Sequence, residues 1–272
     1  MICVLSCPFV IAVDAAHSFQ PFGLAHLLVI AVTIALPFIL AAFVRKSRWP
    51  RSERVIARLL AVFLLFNYLG YELYLIVTGG LVWQKALPFQ LCDWAMITVI
   101  VAMLTGRERW LEVAYFWGIG GTAQAILTPD LKYAFPDIRF LTFFMAHSGI
   151  VIAIAFVMIM RGFRPYWSSI WRTFAWSELY FVLAFITDLV TGQNYGYLWR
   201  KPEATSLLSL LSDHWAVYLL QLHLLALLFF FALYCPFWIY DLATRRRSHA
   251  GSTAHAHLLA GKASREANQD YS

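Results

Sequence analysis

The chain has 272 residues, 61% of them hydrophobic and 13% charged, with a formal net charge of +6. Soluble domains carry about 25% charged residues, so this composition excludes an ordinary soluble globular protein. It excludes a nucleic-acid binder as well, because the basic residues flank apolar runs, where they set membrane topology.

In chain order, residues 1–16 are apolar, contain Cys3 and Cys7, and lack the basic start of a secretory signal. Residues 1–21 are expected to be an N-terminal outside segment. Four cysteines are too few and too scattered for a disulfide framework. Seven apolar stretches follow, at roughly 22–44, 55–77, 87–104, 110–127, 140–160, 167–190 and 215–240. A helix needs about 20 mostly apolar residues to cross a bilayer, and 22–44 and 215–240 contain no Asp, Glu, Lys or Arg. The expected fold class is all-α, a polytopic membrane helical bundle of seven transmembrane helices over residues 22–241. Residues 242–272 carry Arg245, Arg246 and Arg247 followed by small and polar residues, which predicts a disordered basic tail.

Loop charge orients the bundle. One side carries twelve basic residues, from Arg45 to Arg247, and the other carries five, Lys85, Lys132, Arg139, Arg200 and Lys201. The N-terminus is therefore expected outside and the C-terminus in the cytoplasm, in a multi-pass protein of the cell membrane.

Depth along each span then locates the polar groups. His26 starts helix 1, and Asn67 and Glu72 lie in the outer half of helix 2. Gln90, Cys92 and Asp93 follow Pro88 at the outer end of helix 3, and Gln124 is near the outer end of helix 4. His147 sits on helix 5, Asp188 near the outer end of helix 6 with Asn194 just beyond, and Tyr218, Gln221 and His223 on helix 7. Inner halves look nearly free of ionisable groups, with Arg58, Glu112 and Arg172 near the cytoplasmic edge. Ionisable groups in a bilayer are costly and face the bundle interior, so the asymmetry predicts one polar cavity at the outer side.

Each group has a structural and a functional reading. Cys92 is either an apolar filler or a nucleophile that needs a histidine as base; His147 is at matching depth and His26 is a second base. His147 and His26 are equally suited to interhelical hydrogen bonds, and Ser148-Gly149 implies close helix packing. Glu72, Asp93 and Asp188 form a proton or cation path or sit as hydrogen-bonded carboxyls. Gln90, Gln124 and Asn194 are satisfied polar groups or donors to a ligand or oxyanion. Consecutive helical residues diverge by about 100°, so Cys92 and Asp93 are not expected to face one point. No metal-ligand spacing supports a metal site, and no cofactor is expected. Tail histidines His249, His255 and His257 read as solvated.

Five pieces together carry a resemblance: Phe22-Gly-Leu-Ala-His26, Leu87-Pro-Phe-Gln-Leu-Cys-Asp93, Leu127-Thr-Pro-Asp130 with Phe135-Pro136, Phe144-Met-Ala-His147, and Asn194-Tyr-Gly-Tyr-Leu198 with Lys201-Pro202. In this combination the chain resembles the YwaF-like bacterial integral membrane proteins. That group is distantly similar to the vertebrate transmembrane protein 164, a cysteine-dependent phospholipid acyltransferase, and more remotely to the androgen-induced membrane hydrolases. The resemblance implies a nucleophile at Cys92 and a base at His147. The chain departs from it at Gln90, where a histidine is usual, and at Ser212-Asp-His-Trp-Ala-Val-Tyr218, where the usual segment is rich in proline and tryptophan. The expected function is acyl transfer on a phospholipid or fatty-acyl ester at the outer leaflet, with membrane lipids as partners and the oligomeric state open. A proton-coupled transporter and a non-catalytic seven-helix protein are the alternatives.

Overall fold

A computed structural model describes residues 18–202 and 206–269, with side chains beyond residue 244 outside the description. Expectations on residues 1–17, including Cys3 and Cys7, and on the tail histidines lie outside the described residues. Chain order gives α1 (Leu24–Lys46), α2 (Ser52–Val77), the single turn α3 (Trp83–Ala86), α4 (Leu91–Thr105) and α5 (Glu108–Trp117). A π-helical turn (Gly118–Thr122) joins α5 to α6 (Ala123–Leu127), followed by α7 (Ile138–Arg161), α8 (Trp167–Thr191) and α9 (Trp215–Gln269). Two short 3₁₀ turns, Tyr195–Tyr197 and Leu207–Leu210, lie between α8 and α9. The described part is all-helical apart from one isolated bridge between Ser18 and Tyr133.

The helix ends follow from local chemistry. Arg45 and Lys46 close α1, where cations meet the negative end of the helix dipole. Asp137 caps α7 by accepting from the Arg139 N–H at 2.8 Å. Gly106, Gly162 and Gly192 end α4, α7 and α8 in the left-handed conformation that glycine adopts without strain.

Five helices are long and apolar enough to cross a membrane: α1, α2, α7, α8 and the Trp215–Thr244 part of α9. The other two expected spans are shorter units. Helix α4 is apolar but has 15 residues, because Gln90 caps it and residues 87–90 are not helical. The fourth is continuous over 108–127 but broken in its hydrogen-bond pattern by the π turn.

Helix α7 is the centre of the bundle. Half of its apolar window is buried, against 11–22% for the other four long helices. It packs on α1, α2 and α4. Close approach relies on small residues: a Cβ on Gly149 would lie 2.8 Å from Leu64 Cδ2, and one on Gly118 would lie 2.2 Å from Ile154 Cδ1. Outward faces carry exposed Phe38, Phe66, Leu73, Val182, Leu220 and Leu228. So large an apolar surface belongs in lipid.

Candidate functional site

The chain enters α4 through a turn held from three directions. The Gln90 N–H donates to Asp93 Oδ2 at 3.0 Å, and the Asp93 N–H returns to the Gln90 side chain, forming a capping box. Gly196 N–H donates to Gln90 Oε1 at 3.3 Å, and the Tyr180 hydroxyl donates to Phe89 O at 3.0 Å. Gly196 has φ +61°, and an added Cβ would lie 2.5 Å from the Tyr180 hydroxyl, so glycine is required on both counts. Asp93 therefore turns back on its own helix start.

Cys92 becomes the second residue of α4, inside the first turn. Backbone N–H groups there lack intrahelical acceptors, and negative charge is stabilised there. Among the described residues, the Leu91 and Cys92 N–H groups donate to no carbonyl or side-chain oxygen. Within reach of the thiol is Thr122, whose buried hydroxyl has no hydrogen-bond partner. The π turn presents this residue, with Gly121 leaving room for Leu91. Such insertions often mark functional positions.

His147 faces the same space from α7. Its Nδ1 lies 2.7 Å from Phe143 O and its ring stacks on Phe143 at 4.1 Å. A carbonyl can only accept, so Nδ1 carries the proton and Nε2 of the neutral ring keeps a lone pair. That is the form a general base needs.

Both residues line a cavity of about 1180 Å³. Of the nine residues singled out from sequence, Cys92, His147, Gln90, Asp93, Glu72, Gln124 and Asn194 border it, while His26 and Asp188 do not. His26 is buried with both nitrogens used, Nδ1 accepting from the Phe22 N–H at 2.9 Å and Nε2 donating to Ile126 O at 2.7 Å. It ties α1 to α6 and has no lone pair left for a base. Asp188 is also buried, and its Oδ1 accepts from the Tyr195 N–H at 2.8 Å, shaping the loop after α8. Asn194 borders the cavity but spends its amide inside that loop, accepting from Trp199 and Arg200 N–H and donating to Arg200 O. One of its two amide hydrogens is thereby committed to the loop. Gln90 uses only its carbonyl end, which leaves its amide N–H₂ available.

The loop rim is ordered by ion pairs. Lys201 Nζ reaches Asp213 Oδ1 at 2.7 Å and Leu211 O at 2.5 Å. Arg139 grips Asp137 through two side-chain bonds and lies 3.2 Å over the Tyr133 ring. The hydrogen bond and charge of Arg139 hold the Asp137 carboxyl below the usual carboxylate range.

Sequence reasoning passed over Glu178. This carboxylate sits in the middle of α8 and borders the cavity, so the cavity's polar lining reaches mid-helix, deeper than expected. His223 approaches it, with Nε2 3.4 Å from Glu178 Oε2 and Nδ1 2.6 Å from Leu219 O. An acid in mid-span was a sufficient signal; its pairing with His223 depends on helix rotation.

Five apolar helices long enough to cross a membrane and a lined cavity among them mark a polytopic helical membrane protein. The sequence matches the TMEM164 family over residues 21–234. The chain belongs to the TMEM164 family. It is also similar to an uncharacterized protein of Treponema pallidum (strain Nichols), 32% identical over 133 residues, which are 47% of this chain and 53% of that protein. The match thus spans about half of either chain. No solved structure matches.

Proposed function

We propose that this chain is a membrane-embedded acyl-transfer enzyme, of the YwaF-like kind within its family, that uses Cys92 as nucleophile and His147 as base on a phospholipid or fatty-acyl ester. The observation that carries this reading is one cavity bordered by a helix-start thiol and by a histidine with Nε2 free. The Cys92 S–H gives its proton to His147 Nε2 as sulfur attacks the ester carbonyl. The oxyanion takes hydrogen bonds from the Leu91 and Cys92 N–H groups and the Gln90 amide. The C–O bond then breaks, and the leaving lysolipid oxygen takes the proton from His147. In the second half the hydroxyl of a lysolipid, or water, gives its proton to His147 and attacks the thioester. The C–S bond breaks and Cys92 sulfur recovers its proton.

The rim cations Arg200 and Lys201 border the cavity and suit a lipid phosphate. The proposal includes seven crossings, the N-terminus outside and a site open to the outer leaflet of the cell membrane. A proton path through Glu72, Asp93 and Asp188 finds less support, since Asp93 caps α4 and Asp188 anchors the loop. The test is mass spectrometry of purified protein incubated with a lipid-directed thiol probe. An adduct on the Cys92 peptide, lost in Cys92→Ala, is expected; undiminished labelling of the mutant removes Cys92 as nucleophile.

A further inference from the structure

A second cleft, of about 550 Å³, lies between α5 and α8 and is bordered by Arg107, Arg109, Trp110, Arg172 and Trp176 above Val113, Ala175 and Leu179. Small-molecule sites fall in about the same size range, 300–1,000 Å³. It sits at the opposite end of the bundle from the cysteine. Cys92 is at the start of α4, whereas Arg107 follows its end, about 20 Å away along 15 residues.

The cleft is graded along its length. On α8, Arg172, Ala175, Trp176 and Leu179 stand at i, i+3, i+4 and i+7, one stripe of a helix. On α5, Arg109, Trp110 and Val113 form the facing stripe. Arginines are at the helix-end side. Trp110 and Trp176 come next, with ring centroids 5.5 Å apart. Val113 and Leu179 follow, each about 4.5 Å beyond the tryptophan on its own helix, with Ala175 level with Trp176. This order matches the headgroup, glycerol and acyl-chain regions of a phospholipid.

Charge in the cleft is unbalanced. Glu112 holds Arg172 through two bonds of 2.8 Å. Arg107 and Arg109 are exposed and have no ion pair among the described residues. Two arginine forks therefore remain for an anion, the pairing that phosphate geometry suits. Trp176 and Leu179 are 37% and 44% exposed on the apolar wall, so the cleft opens sideways into lipid.

We propose that this cleft binds one anionic phospholipid, its phosphate on Arg107 and Arg109 and one chain between Trp110, Trp176 and Leu179. The site is separate from the cavity proposed for acyl transfer and does not depend on it.

The test titrates full-length protein in detergent with dihexanoyl phosphatidylglycerol and follows tryptophan emission, to which Trp110 and Trp176 contribute. Saturable binding is expected, roughly thirty-fold weaker in Arg107→Gln/Arg109→Gln at about a factor of five per basic residue. Ala175→Trp is the independent arm: it fills the apolar part from an exposed position and is expected to abolish saturation with all arginines in place. Cys92→Ala is expected to bind as wild type. Equal binding of dihexanoyl phosphatidylcholine would overturn the requirement for an anion. The same saturation with inorganic phosphate would overturn the lipid assignment. Wild-type affinity in both cleft variants would overturn the site.

Discussion

A histidine whose two nitrogens are both bonded and one with a free nitrogen have different fates on mutation. His26 → Ala strips partners from the Phe22 N–H and Ile126 O and leaves a hole among Phe19, Phe22 and Phe144. We expect a loss of about 1–3 kcal/mol, read as a lower thermal midpoint, with Cys92 still labelled in the folded fraction. His147→Gln removes only the bond to Phe143 O and the stacked ring. It is expected to keep the midpoint near wild type and to slow formation of the Cys92 adduct by about 10²–10⁴-fold. A His26 variant that loses labelling while fully folded, or a His147 variant that labels at the wild-type rate, would reverse the two roles. Both histidines and the cysteine were visible in the sequence as polar residues set in apolar helices. Their roles were not, because role depends on which atoms the neighbouring carbonyls occupy. Asn194 shows the same limit, since an amide at cavity depth looks wholly available until its loop is seen to use its oxygen and one of its two N–H groups.

At the level of elements, the π turn is the feature that hydropathy could not disclose. Gly118 packs on Ile154, and the extra residue in the turn also presents Thr122 to Cys92. Gly118→Ala forces its Cβ within 2.2 Å of Ile154 Cδ1 unless one of them moves. A destabilisation of about 1–3 kcal/mol is expected, partly recovered in Gly118→Ala/Ile154→Val; denaturation of the single and double variants in detergent reads the difference, and a double variant no better than the single would deny the contact. The start of α7 responds to pH. Because Arg139 depresses the Asp137 carboxyl below its ordinary value near 3.8, the stabilisation is present above that value and lost as pH falls through the lower folded one. The pair lies at the surface with its side chains 31% and 23% exposed, so its worth is about 1 kcal/mol at most and falls with salt. Asp137→Asn is expected to flatten the acid limb of the midpoint-against-pH curve below about pH 4, and an unchanged acid limb would count against the pair.

For the whole molecule, the all-helical membrane architecture was plain from long uncharged runs such as 215–240. Five of the seven expected spans are helices of full length, while 87–104 lost its first residues to the capped turn at Gln90. The centre of the bundle was not legible, because in so apolar a chain the lipid-facing and core-facing sides look alike. Helix α7 holds that place, and amide hydrogen exchange in detergent is expected to be slowest along it and faster on α1 and α2, whose windows are only 17% and 11% buried. Faster exchange in α7 than in α1 would contradict its central position.

The bond from Gly196 to Gln90 ties the loop after α8 to the first turn of α4, and the bond from Tyr180 to Phe89 ties α8 itself to the same turn. Lifting the loop therefore loosens the same cap that aims the Cys92 thiol and its N–H groups. Under the proposed reaction, admission past this loop and readiness to react are mechanically opposed, like a door hinged on the workbench. A bulky amphiphile that slips in between helices leaves that hinge at rest.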